Sequence, residues 1–572
     1  MRPIVLMFTA ALYGLTALPT WGQTAPASFP VTITVDASKS VGPLKPIWRW
    51  EGYDEPNYTY MPNGKKLVGE FSAAGTSQGP AYFRAHYLLC SGDGVPRLKW
   101  GSTNAYTEDA AGNPVYDWTI LDKVFDTYIQ AGARPYAQIG MMPRALSSHP
   151  DPYEPSWRPE GGGSLYTGWA YPPKDYDKWR ELVYQWAKHC LERYGQKEVE
   201  SWYWEVWNEP NIGYWKGTAE EYQKTYDYAA DGLRKAIPNA RVGGAETAGP
   251  GNRFQTSFID HCLSGANYAT GKKGSPLDSI SFHAKGAPTF LRQGQPHVRM
   301  GISNQLRDID NGFKIVASRP ETIALPVIIG ESDPDSCAGC PARGSLNPQN
   351  AYRHGPLFAA YTVEQLTRTL DLAERHHVNL VGSVTWAFEF EDQPIFSGFR
   401  ALTTDGIDLA VLNVYRMLGK MAPQRLPVTS TADVGLDTIL RTGVRGANPD
   451  VHALASRDDQ RITLICWNYH DDDLPGPVAA TTLRLTGLPT DLTKATLTEW
   501  RIDQTHSNAH SKWQSLGSPA KLDPDQRTQI EAAARLDMIQ NAVELPLNHG
   551  TADLKTDLPR QAVSLIEIKW VK

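Results

Sequence analysis

Two glutamates, Glu209 and Glu331, carry the chemistry most legible in this 572-residue chain. Glu209 ends the run Trp202-Tyr203-Trp204-Glu205-Val206-Trp207-Asn208-Glu209-Pro210. Aromatic and β-branched residues favour a strand and proline cannot continue a ladder, so Glu209 is expected where strand gives way to loop. Glu331 follows Leu325-Pro326-Val327-Ile328-Ile329-Gly330, an apolar run short enough for a buried parallel strand. Two carboxyl groups at strand ends suit cleavage of a glycosidic bond by the retaining route. One neutral acid protonates the leaving oxygen and one carboxylate attacks the anomeric carbon, the two about 5 to 5.5 Å apart. Glu205 shares the strand parity of Glu209. It falls inside the run, where a carboxylate would be buried between barrel layers, while Glu209 reaches the open end. For Glu331 the plainer alternative is a helix-start carboxylate, because Ser332-Asp333-Pro334 could open a helix. Asn208 is placed to donate to a sugar 2-hydroxyl, a contact that strengthens in the transition state; its plainer role is that of a turn residue.

Positioning such a pair needs parallel strands that end together. From about residue 80 to 420, short apolar runs alternate with helical stretches, the pattern of βα units. The expected strands are Pro46 to Trp50, Tyr82 to His86, Arg134 to Ile139, Trp202 to Asn208, Arg241 to Gly243, Ser279 to His283, Val327 to Gly330 and Leu380 to Trp386. Between them Trp179, Leu182, Val183, Trp186 and Cys190 recur at helical spacing over Tyr176 to Tyr194. Eight strands without a Gly-x-Gly-x-x-Gly turn favour a (β/α)8 TIM barrel, within the α/β class, over an open dinucleotide-binding sheet. The tract Glu160-Gly161-Gly162-Gly163-Ser164 is expected to be a flexible loop bordering the site.

After about Pro423 the texture changes to short strands and turns, expected at Leu436 to Arg441, Asp450 to Ser456, Gln460 to Tyr469, Thr481 to Leu485, Thr496 to Arg501 and Ala562 to Lys569. This predicts a β-sandwich joined by strand material from Pro30 to Lys39. The division expected is a signal peptide over 1–22, an N-terminal strand segment over 23–45 that joins the sandwich, the barrel over 46–422 and the sandwich over 423–572.

A net charge of −6 offers no basic stripe for nucleic acid. Eighteen tryptophans and 26 tyrosines suit stacking on sugar rings, although most of them will be core. Met1-Arg2-Pro3, the apolar stretch from Ile4 to Leu18 and the small residues before Gln23 have the form of a secretory signal. No later segment approaches the roughly 20 apolar residues of a membrane span, so a secreted or periplasmic protein is expected. Of six cysteines only Cys337-Ala338-Gly339-Cys340 forms a unit, expected to be a local disulfide or two free thiols rather than a redox centre.

Barrel and tail together resemble glycoside hydrolase family 39, which contains β-xylosidases and α-L-iduronidases. The likeness is carried by Leu121 to Asp126, Gly140-Met141-Met142-Pro143, His189 to Gly195, Trp207-Asn208-Glu209-Pro210, Gly243-Gly244, Arg501 to Asn508, Trp513 and Leu516-Gly517-Ser518-Pro519. It implies a retaining exo-acting hydrolase with Glu209 as acid/base, Glu331 as nucleophile and no cofactor. It also implies that Trp386 floors the sugar subsite; His86 and His283 are candidate hydroxyl partners, the plainer alternative for each being a satisfied barrel histidine. Where the xylosidases of the family have His-Ala-Tyr, this chain has His283-Ala284-Lys285-Gly286. It sides with the iduronidases there, at Arg84 to Leu89 and at Glu331-Ser332-Asp333-Pro334. The matching lysine, Lys285, and the nearby Arg400 would together favour an anionic sugar; each alone is a solvated or salt-bridged side chain. A β-xylosidase acting on xylo-oligosaccharides or related plant glycans is the expectation. The alternatives are an iduronidase-like uronide hydrolase and, in another class, a non-catalytic carbohydrate-binding barrel. No metal is expected: His506 and His510 lack an intervening glutamate, His376 and His377 close a helix, and Asp471-Asp472-Asp473 is expected to be a solvated turn rather than a calcium loop.

Overall fold

The computed structural model describes residues 27–251 and 253–570, so the expected signal segment lies outside the described residues. Eight parallel strands close into a barrel: β1 (Trp50–Tyr53), β2 (Tyr82–Ala85), β3 (Arg134–Ile139), β4 (Tyr203–Val206), β5 (Arg241–Thr247), β6 (Ser279–Lys285), β7 (Pro326–Asp333) and β8. The last is split into Asn379–Ser383 and Thr385–Trp386; its first piece pairs with β7 and its second with β1, which seals the ring. Packed helices follow most strands, and their starts are written in the sequence. Asp175 accepts from Lys178 N at the head of Tyr176–Tyr194, and Thr218 with Glu221 forms a capping box ahead of Ala219–Ala236.

Several boundaries differ from expectation for physical reasons. The first strand begins at Trp50, because Ile47 and Trp48 lie in a turn after Pro46. β5 runs on through Gly243 and Gly244 to Thr247. A Cβ at Gly243 would meet Ser279 O at 2.3 Å, so this glycine marks close strand approach and not a strand end. β7 continues past Glu331 to Asp333, so Ser332 and Asp333 belong to the strand and open no helix.

Two sheets pack as a sandwich beside the barrel. One orders Val428–Ser430, Ser28–Asp36, Val478–Thr486 and Ala552–Leu558. The other has seven strands, centred on Arg461–Tyr469 and Val563–Lys569. Val31, Ile33, Val35, Leu464, Leu483 and Ile566 fill the core between them. The stretch expected as a strand at Leu436 to Arg441 is instead the helix Leu436–Thr442. Gly435 and Gly443, both at positive φ, bracket about two turns, and Leu436, Ile439 and Leu440 have helical spacing.

Candidate active site

The strand ends converge on a cavity of about 460 Å³ lined by Glu209, Glu331, Lys285, Trp386, Asp54 and Lys99, among others. Glu209 lies three residues beyond β4, in the left-handed region at φ 43°, and its amide donates to Glu246 O at 2.8 Å. Trp207 and Glu246 share this sparsely populated backbone region at φ 74° and 50°. Such strain gathers where neighbouring structure fixes a functional side chain.

Glu209, His283 and Glu331 each place one atom so that all three lie within 4.8 Å of one another. His283 Nδ1 is 2.9 Å from Glu209 Oε1 and 3.7 Å from Glu331 Oε1, while its Nε2 stands 3.0 Å from Glu246 Oε2. Burial works against a charge on this ring. Glu331, Glu209 and Glu246 outweigh it and push the pKa up to about 9, so His283 is an imidazolium at neutral pH. A charged imidazole between two carboxyl groups is suited to proton and charge management.

Glu331 is held from several sides. Lys285 Nζ lies 2.6 Å from its Oε2, and Arg84 Nη1 at 3.2 Å and His86 Nε2 at 3.3 Å face its Oε1. Burial would raise its pKa, but His283, Lys285 and His86 together hold the carboxyl well below the usual range. The group is therefore ionised, the state its expected role requires.

The other residues singled out in the sequence divide clearly. His86 bridges to Asp54, Nδ1 to Oδ1 at 2.8 Å, and packs tilted against Trp386 at 4.4 Å between ring centroids. Trp386 faces the cavity and packs over Gly52, where a Cβ would strike its ring at 2.4 Å. Asn208 is fully buried behind the acid, and its Oδ1 accepts from Arg84 Nη2 at 2.9 Å. Lys285 lines the cavity but also binds Asp333 Oδ2 at 2.7 Å. Arg400 does not reach the cavity. It is 1% exposed and spends its guanidinium on Trp386 O and Asp335, so its expected role as a sugar ligand is corrected. Sequence proximity put it close to the site, and a buried acid on the loop after β7 claimed it.

Glu205, inside β4, is fully buried and accepts from Arg84 Nε at 2.6 Å and Gln138 Nε2 at 3.1 Å. Burial drives its pKa up, with Arg84 opposing and Glu246 adding to the shift. Arg84, Glu246, Asp54 and Lys99 escaped the sequence reading as site residues. Glu246 sat past an apparent strand end, and Lys99 lies in a loop without periodic signal. A signal did exist for Glu246: the paired glycines before it, and Gly330 opposite, where a Cβ would come 1.7 Å from Glu246 Oε2.

Cys337, which lines the cavity, forms a disulfide with Cys340, whereas Cys90, Cys190, Cys262 and Cys466 are buried free thiols. Asp471 and Asp472 are buried and paired, with Tyr469 and Arg445 and with Arg299 respectively, and so are not the expected solvated turn. His506 binds Asp503 at 2.9 Å while His510 stacks on His354 at 4.5 Å, so the two serve different neighbours. His376 bonds to Asp310 at 2.7 Å.

This architecture recurs in known proteins. A beta-xylosidase of Caldicellulosiruptor saccharolyticus is 26% identical over 429 residues, 73% of this chain and 76% of that protein. Among solved structures, a bacterial orthologue of human α-L-iduronidase superposes with a TM-score of 0.73 at 18% identity, covering 94% of this chain and 84% of that one. A monomeric beta-xylosidase from Caulobacter crescentus CB15 gives 0.71 at 21% identity, covering 95% and 100%. At these identities the two structures establish the shared fold. The family model for glycosyl hydrolases family 39 matches residues 31–543. With both carboxylates facing one cavity at the ends of β4 and β7, the chain belongs to glycosyl hydrolases family 39 and is an O-glycosyl hydrolase.

Proposed function

We propose that this enzyme is a retaining, exo-acting β-xylosidase that removes a terminal D-xylose from xylo-oligosaccharides or related glycans. The observation that carries the mechanism is the approach of Glu209 and Glu331 oxygens to within 4.8 Å, close to the roughly 5 Å spacing of a double displacement and too short for an inverting water. Ionised Glu331 attacks the anomeric carbon while Glu209 gives its proton to the leaving oxygen. Glu209, now a carboxylate, then takes a proton from the water that hydrolyses the glycosyl-enzyme. Across the first step the negative charge moves from Glu331 to Glu209. His283 faces both oxygens, so its positive charge is matched in either state.

The choice of a neutral pentose is supported by the beta-xylosidase relative and by what the two cations do. Lys285 is engaged by Glu331 and Asp333, and Arg400 is buried against Asp335. A uronate carboxylate would have to compete with those acids for both. Export to the periplasm or beyond the cell belongs to the same proposal and is supported by the N-terminal residues Met1 to Gly22.

The test is a panel of aryl xylosides, arabinosides, glucosides and uronides, with the first-formed product anomer followed by NMR. Preferred turnover of the β-xyloside with release of β-xylose is expected. Release of α-xylose, or turnover of the uronide alone, overturns the reading.

A further inference from the structure

We propose that Glu246 is a positioning residue for the acid/base, holding Glu209 at two points, through its own backbone carbonyl and through the His283 ring, and keeping that ring charged. This rests on the double-displacement reading above and adds to it a residue that is fully buried and does not line the cavity.

The backbone hold is direct. The Glu209 amide donates to Glu246 O at 2.8 Å, with both residues in the left-handed region. The side-chain hold runs through one ring: His283 Nδ1 lies 2.9 Å from Glu209 Oε1, and its Nε2 lies 3.0 Å from Glu246 Oε2. A ring with a carboxyl group at each nitrogen is suited to carry a proton on both.

The surroundings of Glu246 select it as the ionised partner. Tyr136 on β3 donates to its Oε1, Arg84 on β2 stands 3.9 Å from its Oε2, and Glu205 on β4 shares a hydrogen bond with it. From β7 comes Gly330, where a Cβ would fall 1.7 Å from Oε2, so the residue before the nucleophile has to be a glycine for this carboxylate to fit. Burial drives the Glu205 pKa up and would do the same to Glu246. Arg84, the Glu205 hydrogen bond and His283 instead hold Glu246 well below the usual range. The proton of the pair therefore sits on Glu205, and Glu246 is the anion that answers His283. Glu331, 3.7 Å from Nδ1, loses its charge when it attacks, and Glu209 gains one. Of the three acids against the ring, Glu246 alone keeps its charge through the cycle.

The experiment measures kcat/KM from pH 5 to 10 for the wild-type enzyme, Glu246→Gln, Glu246→Asp and Glu205→Gln, on the 4-nitrophenyl and 2,4-dinitrophenyl glycosides of the preferred sugar. Without the Glu246 charge a proton is easier to remove from the His283–Glu209 pair. The alkaline limb of Glu246→Gln is therefore expected about one pH unit below that of the wild type on the 4-nitrophenyl substrate, an about tenfold fall along that limb with KM little changed. The dinitrophenyl leaving group needs little protonation, so its limb moves less. Glu205→Gln copies a neutral carboxylic acid and keeps the wild-type limb. An unmoved limb in Glu246→Gln, or a fall equal at every pH and on both substrates, assigns Glu246 a structural role and overturns the proposal. So does a Glu205→Gln limb displaced as far as that of Glu246→Gln. If Glu246→Gln does not fold, Glu246→Asp decides, because its charge stands one methylene back: a limb lowered by part of a unit is expected, and an unmoved limb overturns. The product anomer is followed separately. Inversion would overturn the double displacement, whereas retention with an unmoved limb overturns only the role of Glu246.

Discussion

The Lys285 ammonium stands 2.6 Å from Glu331 Oε2 and 2.7 Å from Asp333 Oδ2, so the cation that marks this chain apart in sequence grips the nucleophile itself. Removing it takes their shared cation from two buried carboxylates, although Glu331 keeps Arg84, His86 and His283 and Asp333 keeps Trp386 N, a loss of roughly 3 kcal/mol. Lys285→Met is therefore expected to lower kcat/KM a hundredfold or more on every glycoside, leaving the order of sugar preference unchanged. A loss confined to uronides would instead assign the lysine to a substrate carboxylate.

Glu331→Gly should abolish turnover of all substrates, because it removes the ionised carboxylate that attacks the anomeric carbon. Glu209→Ala should retain activity on aryl glycosides with acidic leaving groups, which need little protonation, and should gain rate with added azide. A β-glycosyl azide in the product mixture is the signature to look for. Its absence, with azide-dependent rate also absent, would move the acid/base role elsewhere.

His283 should make the fold pH-sensitive on the alkaline side. Its folded pKa is raised to about 9 from an ordinary 6.5, so between those values the folded protein holds a proton that the unfolded chain releases. Stability from this group is complete below pH 6.5 and is lost as pH rises through 9. His283→Gln should flatten that part of the Tm-against-pH curve, a difference of roughly 3 kcal/mol at most. Calorimetry of both proteins from pH 6 to 9.5 gives the comparison; parallel curves would show the ring to be neutral.

The loop after the nucleophile strand has two anchors of unequal weight. The Cys337–Cys340 disulfide closes only a four-residue loop, whereas Arg353 binds Asp335 through two oxygens and also Cys337 O and Cys340 O, each at 2.6 Å. Cys337→Ser/Cys340→Ser should therefore change Tm and KM little. Arg353→Ala, which leaves Asp335 partly unpaired, should lower stability by several kcal/mol and raise KM. The reverse ranking in thermal melts would make the disulfide the principal anchor.

The barrel was legible because its strands are short apolar runs at regular intervals, and Glu209 because an Asn-Glu-Pro follows an aromatic strand run. Arg400 misled because linear distance to a strand end says nothing of which acid a guanidinium finds. Glu246 was hidden by Gly243 and Gly244: a glycine pair signals a turn in sequence and close strand packing in space. Leu436 to Arg441 has an apolar texture compatible with either period, and only flanking glycines at positive φ mark it as helix. Lys99 has no local pattern at all, since its meaning lies in its partner, Asp54.

The strand Ser28–Asp36 is hydrogen-bonded in parallel along its length to Val478–Thr486, about 450 positions later. Order of synthesis and order of assembly must therefore differ. The first strand made waits through production of the whole barrel before its neighbour exists, and the sandwich is completed last, at the entropic expense of closing the longest loop in the chain. A nascent or truncated chain ending near Pro423 would carry Val31, Ile33 and Val35 uncovered, an adhesive edge on an otherwise finished barrel.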